Sequence, residues 1–236
     1  MILRPHSESV LFITQPDHAI LACDVARHFD ELDGHPRRDA ILHAVREHDN
    51  GWHEPDEALI FDETSGRALD FVGAPDAVKQ SVWPVAIDRV TNDSTYAAAL
   101  IAEHAAFVYG ANRDKAAWHG FFDDMERRRD DLLRRAGVPR EALADDYRFV
   151  ALADLISLSF CNGWTEARER FGHRVWSEPD AVVVSPAVVP RAAIEIRVRA
   201  RRIADHRYGS AAELRRTLDA APVEWIGGHA RGRDPE

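Results

Sequence analysis

Lysine is almost missing from this 236-residue chain. It occurs only at Lys79 and Lys115, and arginine supplies the other basic residues. Acidic residues outnumber basic ones by 40 to 30, for a net charge of −10. Such a balance leaves no broad basic surface, which argues against wrapping nucleic acid or docking on an anionic membrane. Cysteine is equally scarce, with Cys23 and Cys161 far apart in the chain. Two isolated cysteines make neither a disulfide framework nor a Cys-based zinc motif, so a reduced cytoplasm is the expected compartment. No apolar run approaches ~18 residues, and no membrane-spanning helix is expected. The opening MILRPHSESVLF has no long apolar stretch and does not read as a signal peptide.

What is present is enough apolar material for a core. Hydrophobic residues make up 45% of the chain, and its length fits one large domain or a domain with an appendage. VLFI (residues 10–13) reads as a short strand or an apolar lead-in. A helix follows in PDHAILACDVARHFDEL, with Thr14 or Gln15 as cap, Pro16 in the first turn and Asp17 complementing the dipole. A second helix, RRDAILHAVREHD, stops at Asn50-Gly51. Residues 52–84 carry proline, glycine and acidic residues with weak periodicity, and read as a long irregular segment.

Helical patterning resumes in STYAAALIAEHAAFVYG, continues in the charged DKAAWHGFFDDMERRRDDLLRRAG, and ends in the apolar REALADDYRFVALADLISLSFCNGW. The acidic pairs Asp123-Asp124 and Asp130-Asp131 alternate with arginines, as on an ion-paired helix surface. After about Trp164 the character changes. DAVVVSP and the alternating AIEIRVRARRIA read as strands, SAAELRRTLDAA as a short helix capped by Ser210, and VEWI as a last strand. HARGRDPE reads as a frayed tail. The expected fold class is mainly α. Residues 1–165 form the helical domain, and residues 166–236 form a small mixed α/β extension packed on it.

The chemistry sits on the apolar faces of these helices. Asp154 lies inside FVALADLISLSF, where a lone carboxylate is costly unless a donor or a cation compensates it. His18, His48 and His104 each fall on the core-facing side of a separate helix, with Asp49 directly after His48. One such histidine is commonly a satisfied core residue. Three on three helices, with two aspartates, are the nitrogen and oxygen ligands that borderline divalent metals prefer, and a helix bundle can aim them at one point. Trp52, Phe71 and Trp83, in or beside the long segment, either wall a pocket or anchor the loop. Arg197, Arg199, Arg201 and Arg202 either bind an anion or form a solvated strand face.

The order His18, His48-Asp49, Asp154 resembles the signature of the HD superfamily of metal-dependent enzymes. The phrases QPDHA, HDNGW and LIAEH look like an uncharacterised bacterial branch of it, and the likeness covers about residues 10–165. The resemblance implies an HD-type helical bundle. It also implies one or two divalent ions (Mn, Fe, Mg, Zn or Co) held by His18, His48, Asp49 and Asp154, with His104 and His119 serving a second ion. The implied activity is hydrolysis of a phosphate ester of a small, anionic molecule or nucleotide. In that chemistry a bound ion polarises a phosphoryl oxygen and lowers the pKa of a bound water towards ~7. A dinuclear iron oxygenase and a non-catalytic, metal-stabilised binding module are the alternatives, and a homodimer is compatible with each. His53 and Glu54, just past the doublet, are the candidate general acid or base. Trp52 stands where cyclic-nucleotide members often carry lysine and monophosphatase members often carry glutamate. The substrate therefore stays open.

Overall fold

The helix starts follow directly from their capping residues. In a computed structural model, which describes residues 1–235, Thr14 accepts from the amide of Asp17 at 3.0 Å and opens α1 (Gln15–Ala26). Ser94 opens α5 (Thr95–Val108), and Ser210 opens α8 (Ala211–Ala220) in the same way. α2 (Arg38–Glu47) buries Ile41, Leu42, Ala44 and Val45 along one face. α6 (Ala116–Ala136) and α7 (Arg140–Asn162) both end on a left-handed glycine, Gly137 and Gly163, at a position where only glycine avoids strain.

The expected irregular segment is substantially ordered. After a 3-10 turn over Asn50–Trp52 come a short helix α3 (His53–Ala58) and a two-stranded hairpin, β3 (Phe61–Asp62) with β4 (Arg67–Ala68). α4 (Asp76–Thr91) follows and runs through Pro84. A proline inside a helix removes one hydrogen bond and is a strong breaker signal in sequence. Here burial of Val82, Trp83, Ala86, Ile87 and Val90 outweighs it.

The expected mainly α fold with a small extension is not what forms. Seven strands make one mixed sheet: β1 (Ile2–His6), β2 (Ser9–Ile13), β5 (Arg168–Arg170), β6 (His173–Ser177), β7 (Ala181–Ser185), β8 (Ile194–Ala204) and β9 (Val223–Gly232). Their order is β1-β2-β8-β9-β7-β6-β5. All neighbours are antiparallel except β7 and β9. The N-terminal hairpin pairs through β2 with β8, Leu11 opposite Arg202, so strands from both ends of the chain share one sheet. β9 extends well past VEWI, and the first half of HARGRDPE is strand rather than frayed tail.

Alternation along the strands sorts two cores. Leu11, Ile13, Ile196, Val198 and Ala200 face the main core with the helices. Phe12 and Ile203 point to the other side, into a smaller cluster with Leu59, Tyr208, Leu214 and Leu218. α1 and α7 contact the sheet on the main-core side, α2 packs on both of them and α5 on α2 and α7, while α8 packs on β8 from the side of the smaller cluster. That arrangement brings His18, His48, His104 and Asp154 to a common point. Among the described residues, no helix is long and apolar enough to cross a membrane.

Candidate metal centre

Each ligand-type side chain is delivered by a different piece of backbone. His18 sits on α1, His48 caps the end of α2 with Asp49 next to it, His104 is on α5 and Asp154 is on α7. All five are buried, and His18 and His48 are fully so. Two triplets gather close enough to hold a metal ion: His18, His48 and Asp49; and His48, His104 and Asp154.

The distances are those of neighbouring ligands. The Nε2 atoms of His18 and His48 are 3.3 Å apart. Asp49 Oδ2 lies 3.2 Å from His18 Nε2 and 3.3 Å from His48 Nε2. Asp154 Oδ1 lies 3.4 Å from the first and 3.6 Å from the second. Ligands bonded to one ion at about 2.0–2.1 Å stand roughly 3.0 Å apart at a right angle and about 3.3–3.4 Å apart in a tetrahedron.

Hydrogen bonding behind the rings fixes which atoms face inward. His48 Nδ1–H donates to the Val45 carbonyl at 2.7 Å, an acceptor only, so Nε2 of the neutral ring carries a lone pair. The Ser157 hydroxyl donates to the His18 carbonyl at 2.8 Å, and its oxygen therefore accepts from His18 Nδ1–H at 2.9 Å. That leaves a second lone pair on His18 Nε2. Two imidazole nitrogens and two carboxylate oxygens converge, an arrangement that asks for a cation, either a proton on the ring or a metal ion. His104 Nδ1 pairs with the Tyr147 hydroxyl at 3.0 Å.

Where no metal ion is bound, a proton on His48 meets the same demand for positive charge. Burial acts most strongly on His48 and disfavours its charge, but Asp49 and Asp154 outweigh it and hold its pKa well above the ordinary histidine range. Burial likewise disfavours the Asp49 and Asp154 carboxylates, yet the adjoining histidines keep both below the usual range. At His104 burial outweighs the nearby Asp154 carboxylate and pushes the pKa down to about 4, a neutral imidazole.

Another buried carboxylate shows the contrasting case. Asp146, also on α7, receives Arg37 through two nitrogens at 2.6 and 3.1 Å and the Tyr96 hydroxyl at 2.6 Å. Its charge is matched by protein donors alone, and it serves structure.

A cavity of about 240 Å³ opens over the cluster. Asp49, His104 and Asp154 form part of its lining, and Trp52, Phe71, Trp83 and Tyr109 wall it. Trp52 and Trp83 are also deeply buried, so the anchoring and pocket-wall readings both hold for them. Gln15 is not the helix cap. Its Nε2 donates to Asp49 Oδ2 at 3.3 Å, and its buried Oε1 has no partner.

Three expected site residues lie elsewhere. His119 is exposed and outside both triplets, because the inward position on that turn of α6 belongs to Trp118. His53 and Glu54 begin α3, which turns away from the cluster. They are exposed, Glu54 is bound by Arg89, and both line a separate groove with Arg199 and Arg215. The arginines of β8 are engaged locally: Arg199 with Asp17, Arg202 with Glu224, Arg201 with carbonyls at the end of α8, and Arg197 over the Trp225 ring. Ser157, Tyr147 and the Val45 carbonyl were not singled out in the sequence. Ser157 is one turn beyond Asp154 on the same helix face, and that spacing is the signal that could have found it.

Fold and site together define a mixed α/β protein with a buried His/Asp cluster able to hold a metal ion. The chain belongs to the family described as "Protein of unknown function (DUF3891)", whose model matches residues 1–205. No curated protein and no solved structure matches it. The family match carries no link to the HD superfamily, so that resemblance rests on the order of the histidines and aspartates and the short phrases around them.

Proposed function

We propose that this protein is a metal-dependent hydrolase acting on a small phosphate ester. The observation that carries the reading is that Asp49 Oδ2 and Asp154 Oδ1 each lie at ligand-to-ligand distance from both His18 Nε2 and His48 Nε2, with both rings turned inward by the hydrogen bonds at Nδ1. These four side chains would hold a divalent ion, which when bound polarises a phosphoryl oxygen and acidifies water. Val45 and Ser157 keep the two imidazoles in the coordinating tautomer. Gln15 steadies Asp49, and its unpartnered carbonyl oxygen is the acceptor available to an attacking water. Trp52, Trp83 and Tyr109 narrow the cavity and limit bulk water.

A dinuclear iron oxygenase is the second reading, and the triplet His48, His104, Asp154 favours it. Both triplets use His48, and one imidazole nitrogen binds one ion. A mononuclear centre therefore accounts better for the shared residue, and hydrolysis ranks first.

The test is phosphate release from p-nitrophenyl phosphate by untagged protein reconstituted with manganese. Turnover that disappears in His48→Ala and Asp154→Asn supports the reading. Two irons per chain with oxygen-dependent turnover, and no phosphate release, would replace it with the oxygenase.

A further inference from the structure

We propose that the cavity over the cluster selects a small, flat-bodied phosphate ester carrying a second anionic group, and that Lys79 is the residue that binds this group. The inference rests on the hydrolase reading for the reacting end of the molecule and on separate observations for the other end.

Size sets the first limit. At about 240 Å³ the cavity lies just below the range of roughly 300–1,000 Å³ typical of small-molecule sites, which excludes dinucleotides and polymer substrates from full entry. Its walls set the second. Trp52, Phe71, Trp83 and Tyr109 offer aromatic surface to the body of the ligand, and flat apolar groups pack well on such rings.

Charge sets the third. The floor of the cavity holds the buried carboxylates of Asp49 and Asp154, and Lys79 is the one lysine or arginine among its lining residues. Lysine is rare in this chain, and Arg128 and Arg129 on α6 are tied to carboxylates. Arg170, whose charge reaches His104, is outside the cavity lining and packs over the Phe107 ring. Lys79 has no carboxylate partner among the described residues. Its Nζ donates to the neutral carbonyl of Val72 at 2.6 Å, beside an exposed side chain at the cavity rim. An ammonium carries three donors, so two remain for a ligand. The cation at the rim and the metal-type cluster at the floor thus present positive charge at both ends of a short aromatic slot, once the cluster is loaded.

The experiment uses two non-hydrolysable probes, phenylphosphonate and 4-carboxyphenylphosphonate. Each is titrated into untagged, manganese-loaded protein and followed by the change in total tryptophan emission, to which Trp52 and Trp83 in the cavity wall contribute. The wild type is expected to bind the carboxylated probe about tenfold more tightly, the increment of one charge-assisted hydrogen bond. Lys79→Gln is expected to bind the two probes equally while keeping the wild-type manganese content and circular dichroism. Lys79→Arg is expected to restore part of the preference. Equal binding of the two probes by the wild type, or an undiminished preference in Lys79→Gln, overturns the proposal. Failure of the hydrolase reading appears in other quantities, manganese content and p-nitrophenyl phosphate turnover, and so remains distinguishable.

Discussion

Ser157 locks His18. The hydroxyl of Ser157 donates a hydrogen bond to the backbone carbonyl of His18 and accepts one from Nδ1–H of the same residue, at 2.8 and 2.9 Å. One side chain thereby fixes both the tautomer and the orientation of a ring on another helix. Residues behind a ligand ring typically tune metal affinity by about 10–100-fold.

Ser157→Ala should therefore weaken binding of a divalent ion by about 10–100-fold, with the fold retained. Calorimetric titration of the metal-free protein with zinc or manganese measures this. An affinity equal to wild type would show that Ser157 only packs.

Gly51 is expected to tolerate no side chain. A Cβ at this position would stand 2.0 Å from the Val82 carbonyl oxygen, within the backbone of α4. Overpacking of this kind costs typically 1–3 kcal/mol, and backbone leaves little room to relax. Gly51→Ala should lower the melting temperature and displace Asp49, two residues away, reducing metal content as well. Wild-type stability in that variant would mean that α4 moves freely against the 3-10 turn.

His104 makes stability depend on pH. Burial lowers its pKa to about 4 in the folded state, against an ordinary value near 6.5 when unfolded. Between those values the unfolded chain binds the proton and the folded chain does not. The contribution is complete above about pH 6.5 and is lost as pH falls towards 4, on the order of 3 kcal/mol in total. His48, with its raised value, acts in the opposite sense, and its share is present in both proteins of a comparison. Urea unfolding of metal-free wild type and His104→Gln from pH 4 to 7 should show a steeper rise of stability with pH in the wild type. Identical slopes would contradict the assignment.

The site was more legible in the sequence than the fold. Asp154 stood out because a carboxylate inside FVALADLISLSF needs compensation, and the helical phase of His18, His48 and His104 placed them inward. His119 was misplaced by one position of helical phase, since Trp118 fills the inward direction on that turn. α4 was hidden by Pro84, whose cost as a breaker is local while the burial that offsets it is tertiary. Gly51 was readable as a helix stop, but the reason for it, the backbone of Val82, is distant in sequence. The sheet was missed because β1, β5 and β6 are short, and because pairing between residues 9–12 and 201–204 leaves no local pattern.

The central claim is that His18, His48, Asp49 and Asp154 hold a metal ion. Elemental analysis of untagged protein, as purified and after reconstitution, tests it most directly. The account predicts about one divalent ion per chain, lost in His48→Ala while circular dichroism shows the fold intact. Protein that takes up no ion after reconstitution, or a His48→Ala variant that keeps its full metal content, would contradict it.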